Sequence, residues 1–347
     1  MKKSIALVLV LIMVFSLVAC TAKEEAAVVE TETEEVAAVD EAPVDDGVTY
    51  SLMLSTVLAD TDPIVQGLEK LAADVLADTN GKVVIEVYPS SQLGDTADVL
   101  EQAISGSNVG VVIDTGMLAD YVPDMAIYSG PYVFNSVENA RAFIETDIFK
   151  GWDEELTTYG IRDLGCNWYQ GARSFMTNVP VSTPDDLSGL RIRTMGSTVA
   201  QESMKAMGCE PVSLAWSEVY TGLSNNAIDA AEAQISAIYG ASLYEVVDYY
   251  TLTEHFLLYT ALVISEDWFQ TLPAEYQEIL LTRAIEAGDY ATEMTREMES
   301  GYQAEMEAAG MQFVEVDKTP FIEASASVYE TMGWADLKAQ IDEVLGQ

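Results

Sequence analysis

The chain is short of positive charge. Only 16 lysines and arginines stand against 57 aspartates and glutamates, a formal net charge of -41 over 347 residues. With no basic stripe to release counterions from phosphates, nucleic acid is excluded as a partner. Histidine is scarcer still: the single His255 precedes the apolar run Phe256 to Ile264 and reads as a satisfied core or hinge residue rather than a general base. An exported hydrolase would need such a base beside a nucleophile, yet no G-x-S-x-G occurs, Ser107 lacking the glycine two residues before it. H-E-x-x-H and a complete EF-hand loop are absent too, so we expect no catalytic residue, no metal and no cofactor. Three cysteines are too few for a disulfide scaffold, and Cys166 and Cys209 are expected as buried free thiols, although spacing alone does not decide whether they bond. After residue 20 no apolar run reaches 18 residues, and there is no internal repeat.

The beginning of the chain has the order of an export signal over residues 1–19: Lys2 and Lys3, an apolar run from Ile5 to Leu17, then Leu17-Val18-Ala19-Cys20. Thirteen residues cover roughly 20 Å of helix, short of a ~30 Å hydrocarbon core, which argues against a membrane-spanning anchor. The tetrad resembles a bacterial lipobox, which makes Cys20 the expected site of lipid attachment and the membrane surface the expected location. Residues 20–47 are low in complexity, with ten acids against Lys23 and no aromatic residue, and read as a solvated tether. The remainder carries 13 basic and 47 acidic residues, so the folded part is itself acidic.

From Tyr50 onward, period-2 and helical patterns alternate. Strands are expected at Tyr50–Leu54, Val83–Tyr88 and Val109–Ile113, with helices at Pro63–Leu76 and Thr96–Ile104 between them, a βαβαβ unit. A second unit runs from the strand Arg191–Thr194 through a helix at Thr198–Met207, a strand near Pro211–Ser213, a helix capped by Ser217 that carries Val219, Tyr220, Leu223 and Ala227, and a strand at Asp229–Glu232. Phe256–Ile264 reads as a strand buried on both faces. Pro273–Ala309 is helical in pattern, interrupted at Gly288 and Gly301, and long enough to pass from one lobe to another. One or two further helices are expected in Pro320–Leu345. The fold class is α/β with two lobes, one made of residues 48–170 and 259–298, the other of 171–258 and 299–347.

Ligands of parallel α/β sheets bind beyond the carboxyl ends of the strands. Arg193 stands at such an end, Trp216 opens a helix at the same edge, and Glu232 and Gln234 close the last strand there. Arg173, following Trp168-Tyr169-Gln170-Gly171, enters from the crossover. An arginine fork grips a carboxylate with two parallel charge-assisted hydrogen bonds, so these residues form a candidate anion site. The competing reading is that Arg193 simply pairs with Glu232 or another acid.

These pieces carry a family resemblance. Tyr88-Pro89-Ser90-Ser91-Gln92-Leu93-Gly94-Asp95, Pro131-Tyr132-Val133-Phe134, Gly171-Ala172-Arg173, Leu190-Arg191-Ile192-Arg193 and Ala215-Trp216-Ser217-Glu218-Val219-Tyr220, in that order, are similar to the solute-binding proteins of TRAP (tripartite ATP-independent periplasmic) transporters, the DctP-like family. The resemblance implies a two-lobed, Venus-flytrap fold that closes on an organic carboxylate and presents it to TRAP-type permease subunits in the membrane. It implies Arg193 as the carboxylate grip, Arg173 as its helper, Trp216 as a wall, and Asp95 and Thr56 as contributions from the first lobe. Trp168 is expected beside them. A protein feeding a sensor or chemoreceptor would use the same pocket. Where many relatives read Gly-Gln-Glu-Asn-Pro, this chain has Ala230-Ala231-Glu232-Ala233-Gln234, and losing that asparagine leans toward an apolar or aromatic acid over a sugar acid.

Overall fold

The computed structural model describes residues 47–347. The export segment, Cys20 and nearly all of the tether lie outside the described residues. Ten strands form one sheet: β1 (Tyr50–Ser55), β2 (Val83–Tyr88), β3 (Val109–Asp114), β4 (Ile161–Asp163), β5 (Trp168–Thr177), β6 (Arg191–Thr194), β7 (Glu210–Ser213), β8 (Ala230–Ala233), β9 (Tyr249–Ser265) and β10 (Gln312–Val314). Along the sheet the order is β2-β1-β3-β9-β5-β8-β6-β7, with β4 and β10 pairing β9 off this path. At one end β2, β1 and β3 are parallel; at the other β8, β6 and β7 are parallel. Between them lies the antiparallel pair β5 and β9. Each parallel set is an α/β half, and the two long central strands belong to both, which is the two-lobed fold expected.

The 17-residue β9 is more than the run Phe256–Ile264: it begins at Tyr249, because the polar Thr251, Thr253 and His255 are buried as well. Its pairing with β5 shifts register between Tyr169 and Gly171 and again between Arg173 and Phe175. Those irregularities flank Arg173 and turn side chains of one strand toward different surroundings.

After β9 and a short helix at Glu266–Phe269, a long helix is continuous from Ala274 to Ala308, 35 residues, without the expected interruptions. Gly288 is there for close approach: a Cβ at that position would lie 2.5 Å from Asn167 Oδ1. Asn167 Nδ2 in turn donates to Ile285 O at 2.7 Å and to Asp289 Oδ1 at 2.8 Å. Near its start the helix buries Leu280, Ala284, Ala287 and Ala291 with Leu52, Leu68 and Leu262; near its end it buries Tyr302 and Met306 with Met176, Val219 and Ile238. It therefore crosses from one half to the other.

The expected helix after β7 is shorter and differently capped. A 3-10 turn at Trp216–Glu218 precedes an α-helix at Val219–Ser224, and Ser217 makes no cap. Asn226 turns the chain left-handed at φ 55°, leaving Ala227 outside the helix. The tail holds three helices rather than one or two: Thr319–Ser325, Ser327–Thr331 and Ala335–Leu345. Cys166 and Cys209 are free and buried.

Candidate functional site

A cavity of about 290 Å³ opens where the two halves meet. Val57, Leu58, Asp95, Val112, Asp114 and Met117 line it from the first half; Arg193, Met195, Ser213, Leu214 and Trp216 from the second; Gln170, Arg173, Leu258 and Thr260 from the shared strands. β6 carries Arg193 to this edge, and its parallel neighbour β7 ends at Ser213 beside it.

Arg193 is 6% exposed. Its Nε donates to Leu214 O at 2.9 Å, and its guanidinium carbon lies 5.2 Å from the centre of the Trp216 ring. The backbone bond fixes the head group, and the cation over the indole adds attraction that grows as water is excluded. The two terminal nitrogens have no hydrogen-bond partner among the described residues. Each of the other six arginines, Arg141, Arg162, Arg173, Arg191, Arg283 and Arg296, has a carboxylate partner; Arg193 has none. In a chain with 57 acids this is an exception that sequence statistics disfavour. Burial, then the like charge of Arg173, pushes its pKa down to about 10, with Glu232 and Asp95 acting in the opposite sense. It stays charged at neutral pH.

Glu232 pairs with Arg173, not with Arg193. Arg173 Nε donates to Glu232 Oε2 at 2.5 Å, and Nη2 donates to Glu232 Oε1 at 2.8 Å. Arg173 Nη1 donates to Gln234 Oε1 at 2.8 Å, and Gln234 Nε2 donates to Gln170 Oε1 at 2.9 Å. Thr194 Oγ1 donates to Glu232 Oε1 at 2.7 Å, while His255 Nε2 lies 3.6 Å from Oε2. Burial would raise the Glu232 carboxyl, but Arg173 and His255 outweigh it and hold the group down at about 2. Burial lowers the pKa of His255, with Glu232 acting in the opposite sense. Arg173 thus borders the cavity with its charge already compensated by Glu232.

The sequence-predicted residues divide accordingly. Arg193, Arg173, Trp216, Gln234 and Asp95 line the cavity; Glu232 sits behind Arg173. Besides Glu232, two more fall outside it. Trp168 is fully buried in the cluster formed by Leu52, Leu68 and Ala287, because its face of β5 is covered by helices; a Cβ on Gly67 would lie 3.0 Å from its ring. Thr56 is buried with its hydroxyl accepting from Leu58 N at 3.3 Å, so its neighbours Val57 and Leu58 reach the cavity instead. Ala233 also faces away, packed with Met176, Val219 and Ile238, so its replacement of asparagine alters the core rather than the cavity wall. The argument from Ala233 to an apolar acid therefore fails. Asp114, Gln170 and Thr260 were missed; the first ends β3 at the same sheet edge, which is the signal that could have found it.

Among the described residues no group of three or more His, Cys, Asp or Glu side chains is arranged to hold a metal ion. Two α/β lobes with a cavity between them are the architecture that solute-binding proteins share. The chain belongs to the family described as bacterial extracellular solute-binding protein, family 7, which matches residues 54–335. A solute-binding protein of Chromohalobacter salexigens is 30% identical over 274 residues, 77% of this chain and 80% of that protein. Among solved structures, an apo, open TRAP periplasmic solute-binding protein from Escherichia fergusonii is 40% identical, with a TM-score of 0.76 over 85% of this chain and 99% of its own. Another, from Actinobacillus succinogenes with bound L-galactonate, is 29% identical, with a TM-score of 0.83 over 86% of this chain and 99% of its own.

Proposed function

We propose that this protein captures an organic carboxylate between its lobes, with Arg193 as the grip and Trp216 as the wall, and delivers it unaltered to TRAP-type permease subunits. The observation that carries this reading is the nearly buried guanidinium of Arg193, which lines the cavity without a carboxylate partner. A buried arginine without a partner is costly, so its persistence is accounted for by an anion that completes the pair. Lobe closure follows if the ligand meets Arg193 more fully in the closed form, since equal affinity for both forms shifts nothing. Relatives with bound L-galactonate or named for C4-dicarboxylate support an acid as ligand. Attachment to the membrane through a lipid on Cys20 is part of the same proposal, resting on the tetrad Leu17-Val18-Ala19-Cys20.

Mass spectrometry of small molecules released from the purified protein tests this. An intact carboxylate present at one per chain, and absent from Arg193→Ala, supports the reading. A neutral ligand, or a chemically converted one, refutes it.

A further inference from the structure

The charges around the cavity are unbalanced in a way that bears on the ligand. Four charged side chains line it: Arg173, Arg193, Asp95 and Asp114. Glu232 neutralises Arg173, so one positive charge faces two carboxylates. A dianion would add to that imbalance, inside a chain whose net charge is -41. Remote negative charge gives such a ligand no compensation.

Asp114 is the more telling of the two. It is 5% exposed, ends β3 at the cavity and uses only one of its oxygens. Ser129 Oγ donates to Oδ2 at 2.7 Å and lies 2.7 Å from Thr115 Oγ1. Oδ1 has no hydrogen-bond partner, nor does the buried Ser197 Oγ. A Cβ on Gly116 would lie 2.6 Å from Asp114 Oδ1 and 2.8 Å from Ser197 Oγ, so both oxygens border one small gap that the glycine leaves open. The adjoining residues Met117 and Gly196 line the cavity. Burial raises the pKa of Asp114 and the charge of Glu232 adds to the rise, with the Ser129 hydroxyl, the charge of Arg173 and the Gly116 backbone N–H acting against it. An unpaired buried carboxylate oxygen in a ligand site calls for a donor.

Taking Arg193 as the carboxylate grip, we propose that the ligand is a zwitterionic monocarboxylate, its carboxylate held by Arg193 and its protonated nitrogen received by Asp114. A cationic nitrogen balances the second acid and gives Oδ1 its missing partner, which neither a plain alkanoate nor a dicarboxylate does.

The test is calorimetry on the whole protein with α-amino acids and ω-aminoalkanoates, set against plain alkanoates and dicarboxylates of the same chain length. The amino compounds bind at least about tenfold tighter than either comparison series, as a charge-assisted hydrogen bond requires. Asp114→Asn narrows that preference at least about tenfold, because it removes the charge while keeping the shape. A dicarboxylate that binds more tightly than every amino compound overturns the proposal, as does failure of every amino compound to bind. The ranking within the unmodified protein stands even if the variant folds poorly. If Arg193→Ala leaves the ranking and the affinities intact, the carboxylate grip itself fails; if that variant loses binding but dicarboxylates rank first, only the zwitterion is wrong.

Discussion

Glu232→Gln separates the two arginines experimentally, because it changes stability and binding in opposite directions. Glu232 is 0% exposed and holds Arg173, itself 4% exposed, through two short hydrogen bonds. Removing its charge leaves a buried guanidinium uncompensated, which typically costs about 3–5 kcal/mol. The carboxyl is held at about 2 against an ordinary 4.5. That difference corresponds to about 3 kcal/mol by linkage, within the same range. Because the folded pKa is depressed, this stability is present above about 4.5 and is lost as pH falls toward 2. The variant should melt about 6–10 °C lower at pH 7, at roughly 2 °C per kcal/mol for a domain this size, and should show a shallower loss between those pH values. Arg173, released into the cavity, should strengthen carboxylate binding by about tenfold. Calorimetric melting with and without ligand reads both effects, since ligand at ~100 times Kd adds about 2.7 kcal/mol. A variant that melts like the parent, or that binds carboxylates more weakly, refutes the assignment of Glu232 to Arg173.

Further predictions follow from the same geometry. Trp216→Phe weakens binding and removes the change in tryptophan fluorescence on ligand addition, whereas Trp168→Phe lowers the melting temperature with Kd unchanged; a Kd shift in the second variant would place Trp168 in the site after all. The half-buried Asp153 and the buried Asp163 are neighbours whose carboxyls are both raised by burial, Asp153 further by the charge of Asp163. Their contribution is complete below the ordinary carboxyl range and is lost as pH rises through neutrality, so Asp153→Asn flattens the fall in melting temperature on the alkaline side. An unchanged slope would show that the pair does not titrate there.

Much of this was legible in the sequence where a periodic pattern decides the matter. β2, β6 and the helix Thr96–Ile104 fall at the expected residues, since alternation and caps act locally. Arg193 was legible because it stands at a strand end that topology makes a binding edge. Which arginine Glu232 neutralises was not, because that depends on register: β5 and β8 run antiparallel with Phe175 opposite Glu232 and Ser174 opposite Ala233, placing Arg173 beside Gln234. The same long-range pairing decides which face of β5 the helices cover, and so why Trp168 is core. Gly288 looked like a break because glycine weakens an isolated helix; here it is a contact with Asn167. Asp114 ends β3 at the cavity edge, but its unpaired oxygen becomes evident only once Ser129, Gly116 and Ser197 are brought around it.

The central claim is that the unpaired guanidinium of Arg193 holds the ligand's carboxylate. Calorimetric titration of the protein and of Arg193→Ala with the carboxylate recovered from the purified protein tests it most directly. A buried pair worth about 3–5 kcal/mol predicts an affinity loss of at least ~100-fold at one site per chain. Affinity unchanged within a factor of about two, with the variant still folded, would contradict it.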